Sequence, residues 1–144
     1  MNKLLERLLG VSDIVIDGEL YMRRYRLIHT KWFGLRIHHI LKSDRGRCLH
    51  DHPFDFASLI LKGGYLEARF TGFMKHGKRC VEVKRYSAGD LLLRKAETMH
   101  RLLLDEQAWT LVVRGPYRRV WGFATPDGWV PYYAYQIEEH LTNE

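Results

Sequence analysis

The feature that most constrains the fold of this chain is a close succession of short β-forming stretches separated by turn residues. Residues 14–16, 21–28, 34–41, 54–61, 65–70, 80–86, 91–93, 101–104, 109–113, 119–123 and 130–135 are rich in β-branched, aromatic and leucine residues, the composition that suits a pleated, half-buried surface. Between them lie Asp17-Gly18, Ser43-Asp44-Arg45-Gly46, Gly63-Gly64, His76-Gly77, Ala88-Gly89-Asp90 and Pro126-Asp127-Gly128, turn signals at hairpin spacing. This pattern predicts an antiparallel all-β plan. About ten strands in so short a chain leave sheet edges exposed unless they close into a barrel or a two-sheet jelly roll. Residues 2–9 carry Leu4, Leu5, Leu8 and Leu9 at helical spacing before Gly10, which predicts a short N-terminal helix. Residues 135–140 are a candidate last helical turn and residues 142–144 a frayed end.

No repeat, low-complexity tract or linker divides the 144 residues, so a single domain over 1–144 is expected. Hydrophobic residues make up 46% of the chain, enough for a core without disulfide support. Cys48 and Cys80 are far apart and form no Cys-x-x-Cys pair, which argues against a disulfide scaffold or a four-cysteine zinc site. Lys3, Glu6 and Arg7 interrupt the N-terminal leucines, so neither a signal peptide nor a membrane span is expected and the protein is placed in the cytoplasm. The formal net charge of +6 favours anionic ligands. The basic residues are scattered in pairs such as Arg23-Arg24 and Arg118-Arg119 rather than gathered in a run, so a nucleic-acid partner is not expected.

The chemistry begins at His50-Asp51-His52. In extended chain two histidines two residues apart project from the same face and can converge on one ion. Alone, the pair reads equally as two surface histidines beside a turn. A third histidine, His100, stands between two apolar stretches after Gly89. Together the segments from Gly46 to His100 resemble the paired motifs of the cupin superfamily: Gly46, His50, His52 and Gly63 match the first, Gly89 and His100 the second. The resemblance implies a cupin-type double-stranded β-helix, or jelly-roll barrel. It also implies a mononuclear metal site at His50, His52 and His100, and a homodimer with the aromatic-rich C-terminal strands as its seam.

The chain departs from the family pattern where the metal-binding glutamate would fall, at Phe56 and Ala57. Asp55 is the nearest carboxylate and the candidate fourth ligand, if Pro53 bends the chain enough to bring it round. Lys95-Ala96-Glu97 and Leu104 replace the remaining signature of the second motif. Three neutral imidazoles with open positions suit Fe(II), Zn(II), Ni(II), Mn(II) or Cu(II). A three-histidine centre is similar to that of the thiol dioxygenase branch of the cupins, which favours Fe(II).

Candidate substrate-binding residues come from the neighbouring stretches. Arg36 and His38 alternate in an otherwise apolar segment, so one of them can point inward; an inward Arg36 would clamp a carboxylate or phosphate, and an outward one would be a solvated surface charge. Tyr65 and Glu67 alternate after Gly63-Gly64 and are either cavity acid, base or ligand groups or a cross-strand surface pair. Trp121 is a candidate pocket wall, though aromatics this dense usually fill a core or an interface. His29, His39, His76 and His140 lack a spacing partner and are expected at the surface or in satisfied positions. The expected function is a metal-dependent, oxygenase-like cupin enzyme acting on a small polar or anionic molecule. The alternative is a non-catalytic cupin that binds a small molecule or metal.

Overall fold

The computed structural model describes residues 3–16, 18–44 and 48–135. Gly46 of the first motif, Asp17 and Arg45 of the turn signals, His140, and the expected C-terminal turn beyond residue 135 lie outside the described residues. In chain order the elements are α1 (Lys3–Leu8), β1 (Val11–Ile16), β2 (Glu19–His29), β3 (Gly34–Ile40), β4 (Phe56–Lys62), β5 (Gly64–Phe73), β6 (Arg79–Ser87), β7 (Leu91–Arg94), β8 (His100–Leu103), β9 (Ala108–Arg114), β10 (Gly122–Thr125) and β11 (Gly128–Pro131). The all-β plan and the short helix therefore stand. Two of the expected strands differ. The expected strand at 119–123 starts only at Gly122, because Arg118 donates its N–H to the Pro53 carbonyl instead of to a ladder. The expected strand at 130–135 stops at Pro131, and residues 132–135 are helical.

Six strands form one antiparallel sheet in the order β1-β2-β3-β9-β4-β7, and three form another in the order β6-β5-β8. The β10-β11 hairpin joins the second sheet through His50, which bridges His100 on one side and Phe123 on the other. The two sheets face each other as a jelly roll. Their core is a cluster of Met22, Ile40, Ile60, Leu92 and Ala108 from the large sheet with Tyr65 and Tyr86 from the small one. Gly63 makes the turn from β4 into β5 at φ +72°, where a Cβ would lie 2.2 Å from the Gln107 carbonyl oxygen, so glycine is required there on both counts. Among the described residues no helix is long and apolar enough to cross a membrane.

Strand alternation decides what enters the barrel. The cross-strand registers set Met22 beside Ile40 and Ala108, Arg24 beside His38 and Thr110, and Arg36 beside Val112. Ser58 stands between Val112 and Leu92, and Phe56 between Arg114 and Arg94. One face of five adjacent strands thus runs from apolar at one end to cationic and aromatic at the other, and the histidine segment lies between β8 and β10 of the facing sheet.

Candidate metal centre

The chain from Leu49 to His52 is held extended by backbone bonds on both sides. His50 and His100 exchange N–H···O bonds of 2.9 and 3.0 Å, Asp51 donates to Gly122 at 3.0 Å, and His52 donates to Ala96 at 2.9 Å. Directly opposed residues of an antiparallel pair share a face, so this exchange puts the His50 and His100 rings side by side, and alternation adds His52. The three ring centroids stand 4.9 to 5.1 Å apart. Their ligand nitrogens all lie within 4.8 Å of one another.

Asp51 points the opposite way and is buried. Its carboxylate accepts from the Gly122 N–H at 2.7 Å and the Trp129 indole at 3.0 Å, and pairs with Arg119 at 2.6 Å. One residue of the His-x-His segment therefore fastens the β10-β11 hairpin while its neighbours face the cluster.

His100 is oriented by Glu67. Its Nδ1 lies 2.6 Å from Glu67 Oε1, and Glu67 also receives two hydrogen bonds from Arg94, at 2.9 and 2.5 Å. Burial alone would raise the Glu67 pKa, but the bonds from His100 and Arg94 outweigh it and hold the carboxyl down to about 2. An ionised carboxylate only accepts, so His100 Nδ1 carries a proton, which leaves Nε2 as the nitrogen that an ion could use. Burial, and then the neighbouring His100 and His50, hold the His52 pKa well below its ordinary value, so His52 is neutral. Its Nδ1 is buried without a hydrogen-bond partner. His50 Nδ1 lies 3.9 Å from Asp44, a buried carboxylate that also accepts from the Leu102 N–H and the Tyr21 hydroxyl. Three imidazoles around one point, one fixed by a carboxylate and one with a nitrogen unpartnered among the described residues, are a donor set that fits a divalent transition ion.

Asp55 is not brought to this set. Pro53 does not turn it inward; its Oδ1 accepts from the Ala96 N–H at 2.7 Å and from Arg118 at 2.7 Å, with Lys95 3.7 Å from its other oxygen and the side chain 42% exposed. The Arg118 and Ala96 bonds hold its pKa below the ordinary aspartate value. The cluster is a three-histidine group without that carboxylate.

The remaining candidates fall into place unequally. Arg36 and His38 both face the interior, the first donating to the Tyr117 hydroxyl at 2.9 Å and the second with Nε2 buried and unpartnered. Where the sequence let one of them point inward, strand register puts both on the face shared with Ile40 and Val112. Burial, then Arg24 and Arg36, push the His38 pKa down to about 3. Tyr65 belongs to the core, and burial raises its hydroxyl to about 12. Glu67 serves His100 and Arg94. Trp121 sets its edge toward the His50 ring at 6.3 Å and stacks on Tyr132 at 4.9 Å. Of the other histidines, His29 accepts from Arg114, His39 stacks on Trp109 at 4.0 Å, and His76 is exposed.

Three residues near the site escaped the sequence reading. Phe56 packs its ring 4.6 Å from that of His52. Arg94 shares inward parity with Leu92 and so was accessible to the alternation argument. Arg24 was not, because Arg23, Arg24 and Arg26 crowd one strand without a clean polar and apolar alternation.

No family model matches the chain, and no curated protein matches it by sequence. Solved structures do match in fold. DMSP lyase DddQ from Ruegeria pomeroyi aligns with a TM-score of 0.58 at 17% identity, over 80% of this chain and 57% of that one. An RmlC-like cupin from Shewanella frigidimarina aligns with a TM-score of 0.55 at 16% identity, over 76% and 86%. The Fe(II) form of HppE aligns with a TM-score of 0.56 at 13% identity, over 72% of this chain, which spans only 55% of that one. The jelly roll, the paired histidine segments on its strands and these likenesses agree: this chain has the cupin fold.

Proposed function

We propose that this protein is a metal-dependent cupin enzyme of oxygenase type, acting on a small polar or anionic molecule at a mononuclear centre held by His50, His52 and His100. The observation that carries this reading is the convergence of three imidazole nitrogens within 4.8 Å, with Glu67 fixing the tautomer of His100. Fe(II) is the favoured ion, because three nitrogen donors leave positions open and a structural neighbour, HppE, is an Fe(II) form. Such an ion supplies Lewis acidity and, as iron, the electrons for dioxygen chemistry.

The chain's own residues do the rest. Glu67 and Arg94 hold His100 in one orientation, Phe56 and Trp121 wall the cluster with apolar rings, and His38 and Arg36 present polar groups from β3. Elemental analysis of the purified protein is expected to find one transition ion per chain in the wild type. It should find none in His100→Ala, which should still fold. Equal metal in both would remove the centre from this site. Oxygen uptake on adding small thiols or carboxylic acids then tests the oxygenase chemistry; metal without turnover returns the binding-protein alternative.

A further inference from the structure

Four guanidinium groups enter the barrel from the large sheet, and they are not used alike: Arg94 is committed to Glu67. Arg114 is wholly buried, and its Nε is unpartnered among the described residues, but its terminal nitrogens are engaged: they donate to the carbonyls of Gly115 at 2.9 Å and Thr30 at 3.0 Å and to His29 at 3.1 Å. Gly34 leaves it room, since a Cβ there would lie 2.8 Å from its Nε. Arg114 is a tie between strand ends.

Arg36 and Arg24 are different. Arg36 is 5% exposed and among the described residues donates a single hydrogen bond, to the Tyr117 hydroxyl, leaving its Nε buried without a partner there. Arg24 makes no hydrogen bond or ion pair among the described residues, and its Nε is likewise buried and unpartnered. Burial, and then the charge of Arg36, push the Arg24 pKa down to about 10. Arg24 stands directly opposite His38, and Arg36 lies two residues along the same face, a diagonal neighbour at about 7–8 Å. His38 adds a third orphaned nitrogen, directly opposite Arg24 and on the same strand face as Arg36. Among the described residues neither arginine has a carboxylate partner; Glu67 is committed to Arg94 and His100. Adjacent like charges, one buried and the other half-buried, are costly without a counter-ion unless an anion completes them. Tyr117, half exposed, stands at the outer side of the pair.

We propose that Arg24 and Arg36, flanked by His38 and the Tyr117 hydroxyl, form an oxyanion clamp that takes the carboxylate or phosphate end of the substrate. That the other end of the same molecule meets the metal rests on the function proposed above; the clamp does not. The planar fork of each guanidinium suits either oxyanion.

The test is a titration of the full chain, as purified, with inorganic phosphate and separately with acetate at constant ionic strength, read by calorimetry and thermal shift. Saturable binding of at least one anion is expected, and the stronger of the two identifies the oxyanion class. Arg24→Gln and Arg36→Gln should each weaken it about tenfold or more, while Arg85→Gln, at an exposed pair with Asp105, should leave it unchanged. Should Arg24→Gln fail to fold, Arg24→Lys keeps the charge, loses the fork, and is still expected to weaken binding. His100→Ala should retain the anion and lose the metal. Anion binding that disappears in His100→Ala but survives both arginine changes would mean that the ion itself takes the anion, and would overturn the clamp. So would the absence of saturable binding in the wild type. A protein that binds phosphate through these arginines but no metal would refute the enzyme reading and leave the clamp standing.

Discussion

The two ends of the barrel interior are built on the same strands and do opposite things. On β3 the inward residues change from Ile40 to His38 and Arg36, on β7 from Leu92 to Arg94, and on β5 from Tyr65 to Glu67. At one end Met22, Ile40, Ile60, Leu92 and Ala108 close against Tyr65 and Tyr86, and every group there gains by leaving water. At the other end guanidinium, imidazole and carboxylate groups are buried, and several nitrogens have no partner among the described residues. The apolar end stabilises the fold. The polar end draws on that stability to keep its groups dry and fixed.

The comparison breaks most visibly at Ile60, which is 1% exposed at the apolar end. Ile60→Ala should cost about 2–5 kcal/mol of unfolding free energy in a denaturant titration, with metal content per folded chain unchanged. A loss of metal from the folded variant would show that the two ends are not separable. Glu67→Gln probes the other end. Removing the carboxylate that orients His100 should lower metal affinity about 10–100-fold, read by competition with a chelator. Because Arg94 is then left without its buried partner, some stability should go as well.

The pH dependence sharpens the contrast further. His38 is held neutral, with its pKa down to about 3, whereas in the unfolded chain it titrates near its ordinary 6.5. Between those values the unfolded state binds the extra proton. This contribution to stability is therefore complete above pH 6.5 and is lost as the pH falls toward 3, at about 1.4 kcal/mol per pH unit. His38→Gln should flatten the slope of stability against pH in that window by about one proton, measured by urea unfolding at pH 7 and pH 5; an identical slope would place His38 in water. The smallest effect is expected at Asp55. Its partner Arg118 is at the surface, so Asp55→Asn should shift stability by no more than about 1 kcal/mol and leave the metal content intact.

Much of this arrangement was legible before any coordinates. The turn dipeptides and β-forming stretches place nearly every strand because both signals are local: glycine and proline restrict or free single dihedrals, and branched side chains suit the pleat. His50 and His52 were legible because the His-x-His spacing fixes a common face, and His100 only through the likeness of its segment to the second cupin motif. Asp55 misled because proximity in sequence says nothing about where a chain leaves the ladder, and beyond Pro53 it turns to Arg118. Glu67 was found as a position but not as a role. Its contact with His100 is a diagonal across β5 and β8, where Arg69 stands opposite His100, and that register is set by distant turns. Arg23 and Arg24 look alike in sequence, yet one pairs outside with Asp13 at 2.7 Å and the other faces inward.

By itself, then, the sequence determined the β-rich plan, the alternation along each strand and the shared face of His50 and His52, since each follows from neighbouring residues and the fixed geometry of extended backbone. Which faces meet was decided only by the tertiary structure: the joining of His100 to that pair, the assignment of Glu67 to His100, and the pairing of Arg24 with Arg36. Those contacts depend on strand order and register, where a slip of one residue reverses every side chain, and no local pattern encodes them.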